Sequence, residues 1–364
     1  MYAYDINFGL IIAFLLFSLL LYGVQLFVVW TNQCIFNNKM ALIFYLIPLF
    51  ITLVFILLFL ITSKIDCLFS NICLIIGLYL GYLMYIFQIS LIIRIIIIFV
   101  DIPVLISALI LYITPLIICI YGIINALKTK IEKIKLRFPG YKNKIEILHL
   151  SDIHLGAIHQ KKSVSKIVKE IEELNPDRVV ITGDLADGSL KVKLDWLEPF
   201  NKLEIPILYI TGNHEELNPE EEMIKVVKKT KIKYRGEYEI FNFKGVNFFG
   251  LDYGYNVRKK LREAELKEGE INILLSHVPE MKPEELKEYN IFLFLAGHTH
   301  GGQLFPLNIL AYFGNVCFSG LYKDSEEKHF VYVSQGVNNA VIPMRVCSSR
   351  IFALITIEDN EDNI

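Results

Sequence analysis

Side chains that bind divalent metals recur directly after apolar runs in the second half of this 364-residue sequence. The first such place is Asp152-Ile153-His154, which follows the apolar run Ile145–Leu150. Four later places have the same form: Gly183-Asp184, Gly212-Asn213-His214-Glu215, Ser276-His277 and Gly297-His298-Thr299-His300. A short apolar run bounded by polar residues is typical of a buried strand. The pattern therefore predicts a two-metal site at the carboxyl ends of several strands.

The residue types also fit the chemistry of such a site. Two divalent cations held about 3.5–4 Å apart need a shared anionic ligand, because its charge screens their repulsion. His, Asn and Asp side chains would complete both shells, and such mixed sets suit Mn, Fe, Zn or Co. Five of the eight histidines fall in these places, which chance would rarely arrange.

In this order the five places resemble the motif series of the calcineurin-like metallophosphoesterases: D-x-H, G-D, G-N-H-[DE], an isolated His and G-H-x-H. The resemblance covers about the last 220 residues. It implies an α/β fold in which two packed sheets are flanked by helices, as a four-layer sandwich. It also implies two ligand sets that share Asp184: Asp152, His154, Asp184 and His300 for one metal, and Asp184, Asn213, His277 and His298 for the other.

The resemblance further implies a reaction. A hydroxide that bridges the metals would attack phosphorus in line, and His214 would lie over the substrate and protonate the leaving oxygen. Two readings stay open for the carboxylates of Asp187, Glu215 and Asp252. They either orient the ligands through hydrogen bonds or are ordinary capping and surface residues.

Two later features bear on the substrate. His-Thr-His is followed by Gly-Gly-Gln and an apolar loop, Leu304–Phe318, and a Pro-x-Arg ends at Arg345. Both resemble the membrane-associated subgroup of the family, in which phosphodiesterases and lipid-headgroup phosphoesterases occur. We expect Arg345 and Asn213 to contact the substrate. The subgroup often has Pro-Glu shortly after that Arg, and this chain has Ser348-Ser349 instead. The apolar loop is predicted either to enter the membrane interface or to pack on the protein itself.

The first third of the chain is much more apolar than the rest. Four stretches there have about the 20 residues that cross a bilayer as a helix: Phe8–Val29, Met40–Ile61, Ile72–Ile93 and Val104–Ile124. The sequence therefore predicts a multi-pass protein of the cell membrane, with the lipid bilayer as a partner.

A basic segment follows the last apolar stretch. Seven Lys and Arg residues lie between Lys128 and Lys144, and the positive-inside rule places this segment and the domain after it in the cytoplasm. We expect a helix from Asn125 to about Arg137, ended by Pro139-Gly140. The predicted division is a membrane domain, a juxtamembrane linker and a metallophosphoesterase domain: residues 1–127, 128–144 and 145–364.

From Ile145 onward the chain has 26 Lys and Arg against 34 Asp and Glu, so nucleic acid is not expected as a partner. Strands and helices are predicted to alternate, with strands at Ile145–Leu150 and Arg178–Thr182 and a helix at Ser163–Leu174. His149 is expected in the core. His159 and His329 are expected at the surface.

The sequence predicts a membrane-anchored, metal-dependent phosphoric ester hydrolase, with phosphodiesterase favoured over monoesterase. Its substrate would be a phosphodiester or a pyrophosphate-linked compound, lipids included. The alternatives are a phosphomonoesterase or protein phosphatase, and a regulatory domain on a transporter-like membrane protein. The few polar residues in the apolar stretches disfavour transport, which normally needs polar groups within the membrane.

Overall fold

The computed structural model describes residues 8–37, 46–54, 66–217 and 220–359. The chain divides into two compact units, Met1–Gly122 and Ile123–Ile364.

The apolar part of the chain contains three described helices that are long and apolar enough to cross a membrane, rather than the four predicted. They are Phe8–Phe36, Asp66–Phe99 and Val104–Leu127. The second predicted span, residues 40–61, lies mostly outside the described residues, and its described part, residues 46–54, is helical. Some polar side chains of the described part of the first unit bond to each other. The Tyr112 hydroxyl, for example, donates to Asn32 Oδ1 over 2.6 Å.

The second unit contains two six-stranded mixed sheets. The strands in chain order are β1 (Thr129–Arg137), β2 (Ile145–Leu150), β3 (Arg178–Thr182), β4 (Ile207–Ile210), β5 (Ile232–Tyr234), β6 (Glu237–Phe243), β7 (Val246–Leu251), β8 (Ile271–Leu275), β9 (Leu293–Ala296), β10 (Gly320–Lys323), β11 (Phe330–Val333) and β12 (Arg350–Glu358). The first sheet has the order β1-β12-β2-β3-β4-β5, and the second has the order β10-β11-β9-β8-β7-β6. Strands β2 to β5 run parallel to one another, as do β7, β8, β9 and β11.

The two sheets pack against each other through one apolar layer. Ile147 of β2 and Val180 of β3 belong to the same buried cluster as Phe248 of β7 and Ile273 of β8. The alternate side chains of β2, such as Leu148, pack on the other face with the helix Lys161–Leu174. Strands covered on both faces need continuous apolar runs, which is how these strands read in the sequence. The predicted pair of packed sheets flanked by helices is confirmed.

The remaining helices of this unit are short. The α-helices after Lys161–Leu174 are Leu194–Leu197, Glu220–Val227, Val257–Ala264, Pro283–Leu286 and Leu307–Gly314. The 3₁₀ helices are Glu198–Lys202, Glu215–Leu217, Lys287–Tyr289 and His300–Gly302.

The prediction of a helix from Asn125 to Arg137 is wrong beyond Leu127. Residues Thr129–Arg137 form β1, which pairs in parallel with β12 along its whole length. Ile134 and Leu136 alternate with lysines, and the two apolar side chains are buried. This period-2 pattern is that of a strand, and lysines protect a sheet edge from further pairing.

The strand changes the meaning of the basic segment. The helix Val104–Leu127 and strand β1 are separated only by Lys128, so most of the predicted linker is part of the sheet. Several of its lysines therefore have a role as residues of an edge strand, apart from any role as a topology signal. The cytoplasmic orientation of the domain, which depends on these basic residues, stays a prediction.

Candidate metal centre

The predicted ligands follow strands that end at one edge of the paired sheets. Asp152 and His154 follow β2, Asp184 follows β3, and Asn213 follows β4 in the first sheet. In the second sheet His277 follows β8, and His298 and His300 follow β9. Because β2, β3 and β4 are parallel, as are β8 and β9, their carboxyl ends lie together. The fold thereby brings residues far apart in sequence to one place.

The backbone at the centre is held in an unusual conformation. Asp152, His154, Asp184, His298 and His300 all have positive φ, between 48° and 73°. This conformation is uncommon for residues other than glycine and persists only where the surroundings impose it. Hydrogen bonds between the loops do so here, because Asp152 N donates to the Gly183 carbonyl over 3.1 Å and His154 N donates to the Asp184 carbonyl over 2.9 Å.

The buried side of the centre consists of Asp152, His154 and His300. The Nε2 atoms of the two imidazoles are 3.0 Å apart, and their rings stack. His300 Nε2 is 3.3 Å from Asp152 Oδ1. These three are the predicted ligands, beside Asp184, of one metal, and they form a group that could hold a cation.

Asp184 lies between the two sides of the centre. Its Oδ2 is 3.2 Å from His277 Nε2, 3.7 Å from His154 Nε2 and 3.9 Å from His214 Nε2. A carboxylate surrounded by imidazoles from separate loops has the position that a bridging ligand requires.

The other side of the centre is more exposed at Asn213 and His298, although His277 is fully buried. Asn213 Oδ1 is 2.8 Å from His298 Nδ1, and both residues are half-buried. The rings of His277 and His298 lie 5.2 Å apart in an edge-to-face arrangement. The structure therefore places the three predicted ligands of the second metal other than Asp184 next to one another.

The donor set fits divalent cations. Among the described residues, His277 Nε2 is buried without a hydrogen-bond partner, and the Nε2 atoms of His154 and His300 face each other and the Asp152 carboxylate. His277 Nδ1 donates to the Thr182 carbonyl over 2.8 Å, so its Nε2 is the nitrogen left for a ligand. Burial lowers the pKa of His277, but the charge of Asp184 opposes it and the net result is a pKa of about 9. A site whose carboxylate favours the protonated, positively charged imidazole also favours a bound cation.

His214 has the environment expected of a group that exchanges protons. Its backbone N donates to Asp184 Oδ1 over 2.9 Å, and its Nδ1 bonds to the Asp187 carbonyl over 3.0 Å. The ring is a quarter exposed, unlike the buried imidazoles. His214 also belongs to a group close enough together to bind a cation, so its role as acid rather than ligand stays a prediction.

Two of the three nearby carboxylates orient the ligand loops. Glu215 is buried and accepts backbone N–H bonds from Asp184, Ala186 and Gly212, at 3.0, 2.8 and 2.6 Å. Asp252 accepts from Thr211 N over 2.8 Å and from the Tyr234 hydroxyl. Glu215 thus joins the Gly-Asp and Gly-Asn-His loops, and Asp252 fixes the start of the latter.

Asp187 acts differently from these two carboxylates. Its side chain accepts bonds from the Ser189 backbone N and hydroxyl, at 2.7 and 2.5 Å. Only its main-chain carbonyl reaches His214. The capping alternative therefore holds for the Asp187 side chain.

Arg345, the residue predicted to contact the substrate, directs its side chain into the protein. Its side chain is completely buried, and its donors bond to main-chain carbonyls of Gln335, Asn338 and Ser349 at 2.7, 2.6 and 2.9 Å. A further, longer bond of 3.4 Å reaches the His300 carbonyl. A buried guanidinium is stable only when carbonyls satisfy its donors. Arg345 is therefore a positioning residue for the His300 loop.

Sequence reasoning missed Thr182. Its carbonyl accepts from His277 Nδ1 and from the Ser151 hydroxyl, and its own hydroxyl bonds to His149 Nε2 over 2.7 Å. Its position directly before Gly183-Asp184 was the available signal. His149 is buried as predicted, whereas His159 and His329 are half-buried.

Comparison with known proteins agrees with this geometry. The family model for calcineurin-like phosphoesterases matches residues 145–302. A Danio rerio protein named transmembrane protein with metallophosphoesterase domain is 33% identical over 257 residues, which cover 64% of this chain and 58% of that protein. An uncharacterized metallophosphoesterase of Helicobacter pylori is 31% identical, with 60% of this chain and 61% of that protein covered. This chain thus spans about three-fifths of the length of both relatives.

A shorter relative is matched over most of its length. The uncharacterized metallophosphoesterase of Aquifex aeolicus is 31% identical over 233 residues, which cover 59% of this chain and 85% of the relative. The region in common with all three relatives is about as long as the predicted metallophosphoesterase domain. The relative named as a transmembrane protein, together with the three apolar helices, indicates association with a membrane.

Proposed function

This chain belongs to the calcineurin-like metallophosphoesterase family, and from that premise we propose that it is a membrane-anchored hydrolase of phosphoric esters that uses two divalent metal ions. The observation that carries the proposal is the arrangement around Asp184. One carboxylate there lies within 4 Å of three imidazoles from three different loops.

The proposed ligands are those of the two sides of the centre. Asp152, His154 and His300 would hold one cation, with Asp184 shared. The set that would hold the other cation is Asp184, Asn213, His277 and His298. When bound, the cations supply Lewis acidity toward a phosphoryl oxygen and toward water.

His214 would supply the proton for the leaving oxygen. The Asp187 carbonyl accepts a hydrogen bond at Nδ1, so the Nδ1 proton is retained and Nε2 is the site that gains and loses the catalytic proton. Asn213, half-buried beside it, would contact the substrate through its side-chain amide. General acid catalysis of this kind typically contributes about 10²–10⁴-fold to a rate.

We propose a phosphodiester or pyrophosphate-linked substrate, lipids included. A phosphomonoester carries up to two negative charges on one phosphoryl group, and its recognition gains from a cationic side chain beyond the metals. Arg345, the cation predicted for that contact, has its donors committed to carbonyls. A phosphodiester carries one negative charge, so its binding depends less on a cationic side chain beyond the metals.

The test uses the full chain, purified in detergent, treated with EDTA and reloaded separately with Mn²⁺, Zn²⁺, Fe²⁺ or Co²⁺. We expect metal-dependent hydrolysis of bis(p-nitrophenyl) phosphate that exceeds hydrolysis of p-nitrophenyl phosphate. A preference for the monoester would contradict the substrate class. Absence of hydrolysis of either compound with every metal would contradict the enzyme itself.

A further inference from the structure

The segment after His300 exposes apolar side chains instead of burying them. The sequence has no charged residue from Gly301 to Tyr322, and the structure forms a helix at Leu307–Gly314 in which no side chain is buried. Leu310 is 69% exposed and Phe313 is 80% exposed. A surface helix in water normally directs its apolar side chains toward a core, so this helix needs a partner outside the domain.

The segment is fixed to the candidate metal centre at both ends. Near its start, Gly302 has φ of +70°, and a Cβ at that position would lie 2.1 Å from Asn308 Cα. Only glycine allows the helix to approach the ligand loop so closely. At its end, the Phe318 carbonyl accepts a 2.6 Å hydrogen bond from the hydroxyl of Thr299, which lies between His298 and His300.

Val341, in a loop that is bonded to Gln303, is a further exposed apolar residue. Val341 is 69% exposed and has φ of +50°, an outlier for a β-branched residue. Gln303 holds its loop, because its Nε2 donates to the Ala340 and Ile342 carbonyls over 3.0 and 2.8 Å. Backbone strain that exposes an apolar side chain has no use for the stability of the domain, and such strain is typical of a functional contact.

The chain enters the second unit at this same loop. Asn125 Nδ2 donates to the carbonyls of Arg345 and Ser348, over 3.1 and 2.7 Å. Asn125 lies in the last turn of Val104–Leu127, a helix long and apolar enough to cross a membrane. The segment between β11 and β12, which includes Val341, is thus bonded to the last turn of a helix that is long and apolar enough to cross a membrane.

We propose that the helix Leu307–Gly314 and Val341 insert into the lipid bilayer beside the candidate metal centre, so that the ester is taken from the membrane and not from solution. We call these residues the insertion surface. The choice of a bilayer as partner follows from the apolar chain that enters at the same loop. The contact with lipid does not depend on the proposed function. Only the delivery of substrate from the membrane rests on it.

The contact itself is tested without activity. A photo-crosslinking phenylalanine analogue replaces Phe313 in the full chain, in native membranes. In the matched control the analogue replaces Ile240, which is 47% exposed. Ile240 lies on β6, the edge strand of the second sheet opposite to β10. We expect lipid adducts at position 313 and none at position 240. If position 313 gives adducts to a second copy of the chain or to another protein, or gives no adduct, the proposal of an insertion surface is contradicted.

The catalytic consequence has a separate test. The triple variant Leu307→Ser, Leu310→Ser and Phe313→Ser should hydrolyse a vesicle-borne phospholipid at least 10-fold more slowly, with hydrolysis of bis(p-nitrophenyl) phosphate within about twofold of normal. Ile240→Ser should change neither rate. Equal losses on both substrates would show that the helix only supports the fold. If the unaltered chain hydrolyses neither compound yet gives lipid adducts at position 313, the proposed function fails and the insertion surface stands.

Discussion

The two sides of Asp184 are built differently. On one side Asp152, His154 and His300 are buried, and their backbones are held in a left-handed conformation. On the other side His277 is buried, but Asn213 and His214 are half-buried. The His214 backbone N donates to the Asp184 carboxylate, and its Nδ1 bonds to the Asp187 carbonyl. The buried side is suited to holding a cation permanently. The open side is suited to meeting a substrate.

The two arrangements suit different tasks. The buried imidazoles of His154 and His300 turn their Nε2 atoms toward each other, 3.0 Å apart, and toward Asp152, which is costly unless a cation is bound. Partial exposure with one nitrogen held by a carbonyl, as for His214, leaves the other nitrogen free to exchange a proton. Variants on the two sides should therefore fail in different ways.

The largest effect is expected at the residue that both sides share. Asp184→Asn removes the charge that screens two cations, so turnover should fall to background and metal content should fall with it. Plasma-source mass spectrometry and rates on bis(p-nitrophenyl) phosphate measure the two losses. The matched control is Asp177→Asn, which alters a carboxylate just before β3, at the opposite end of that strand. Full metal content in Asp184→Asn would show that Asp184 is not a bridging ligand.

His214→Ala should separate the two sides. We expect kcat to fall by about 10²–10⁴-fold, because a general acid is lost, while both metals stay bound. Metal analysis of this variant beside Asp184→Asn decides the assignment. If both variants are equally depleted of metal, then His214 is a ligand and not the acid.

Arg345→Lys tests whether a residue outside the metal centre positions the His300 ligand. Lysine cannot replace the several carbonyl contacts of the guanidinium, so the His300 loop should loosen and metal affinity should fall by about 10–100-fold. The KM for the diester, measured at saturating metal, should be unchanged. A raised KM with normal metal affinity would instead restore the substrate contact expected from the sequence.

The smallest effect is a pH dependence of the metal-free protein. Burial opposes protonation of His277, but Asp184 raises its pKa to about 9, above the ordinary value of 6.5. A group whose pKa is raised by folding stabilises the protein below its unfolded pKa and loses that stabilisation as pH rises. The thermal midpoint of the EDTA-treated chain should therefore fall between about pH 6.5 and pH 9.

Metal should remove this trend, because a cation then replaces the proton. Thermal scans with and without Mn²⁺ across the same pH range provide the check. A metal-free midpoint that rises with pH would show that Asp184 does not hold a proton on His277.

The sequence predicted the parts of the site that depend on strand ends. Apolar runs such as Arg178–Thr182 mark buried strands, and the residue types that follow them mark the ligands. The contact of Thr182 with His277 was not predictable, because the accepting atom is a main-chain carbonyl. For Arg345, the Pro-x-Arg pattern led to the prediction of a substrate contact, but it contains nothing about which way the guanidinium faces.

The errors in the fold have a similar origin. Strand β1 is alternating but basic, and after a long apolar helix its lysines read as the continuation of that helix. Its partner β12 is more than 200 residues away, so the pairing that decides its conformation is not visible locally. The segment Leu304–Phe318 was expected to be a loop and contains the helix Leu307–Gly314, whose apolar residues follow no amphipathic pattern.

An anomalous difference map from crystals of the full chain grown with Mn²⁺ would show whether two cations flank Asp184. We expect two peaks about 3.5–4 Å apart. One should lie among Asp152, His154 and His300, and the other among Asn213, His277 and His298, with Asp184 touching both. A single peak, or a pair in which the Asp184 carboxylate contacts only one ion, would contradict the account.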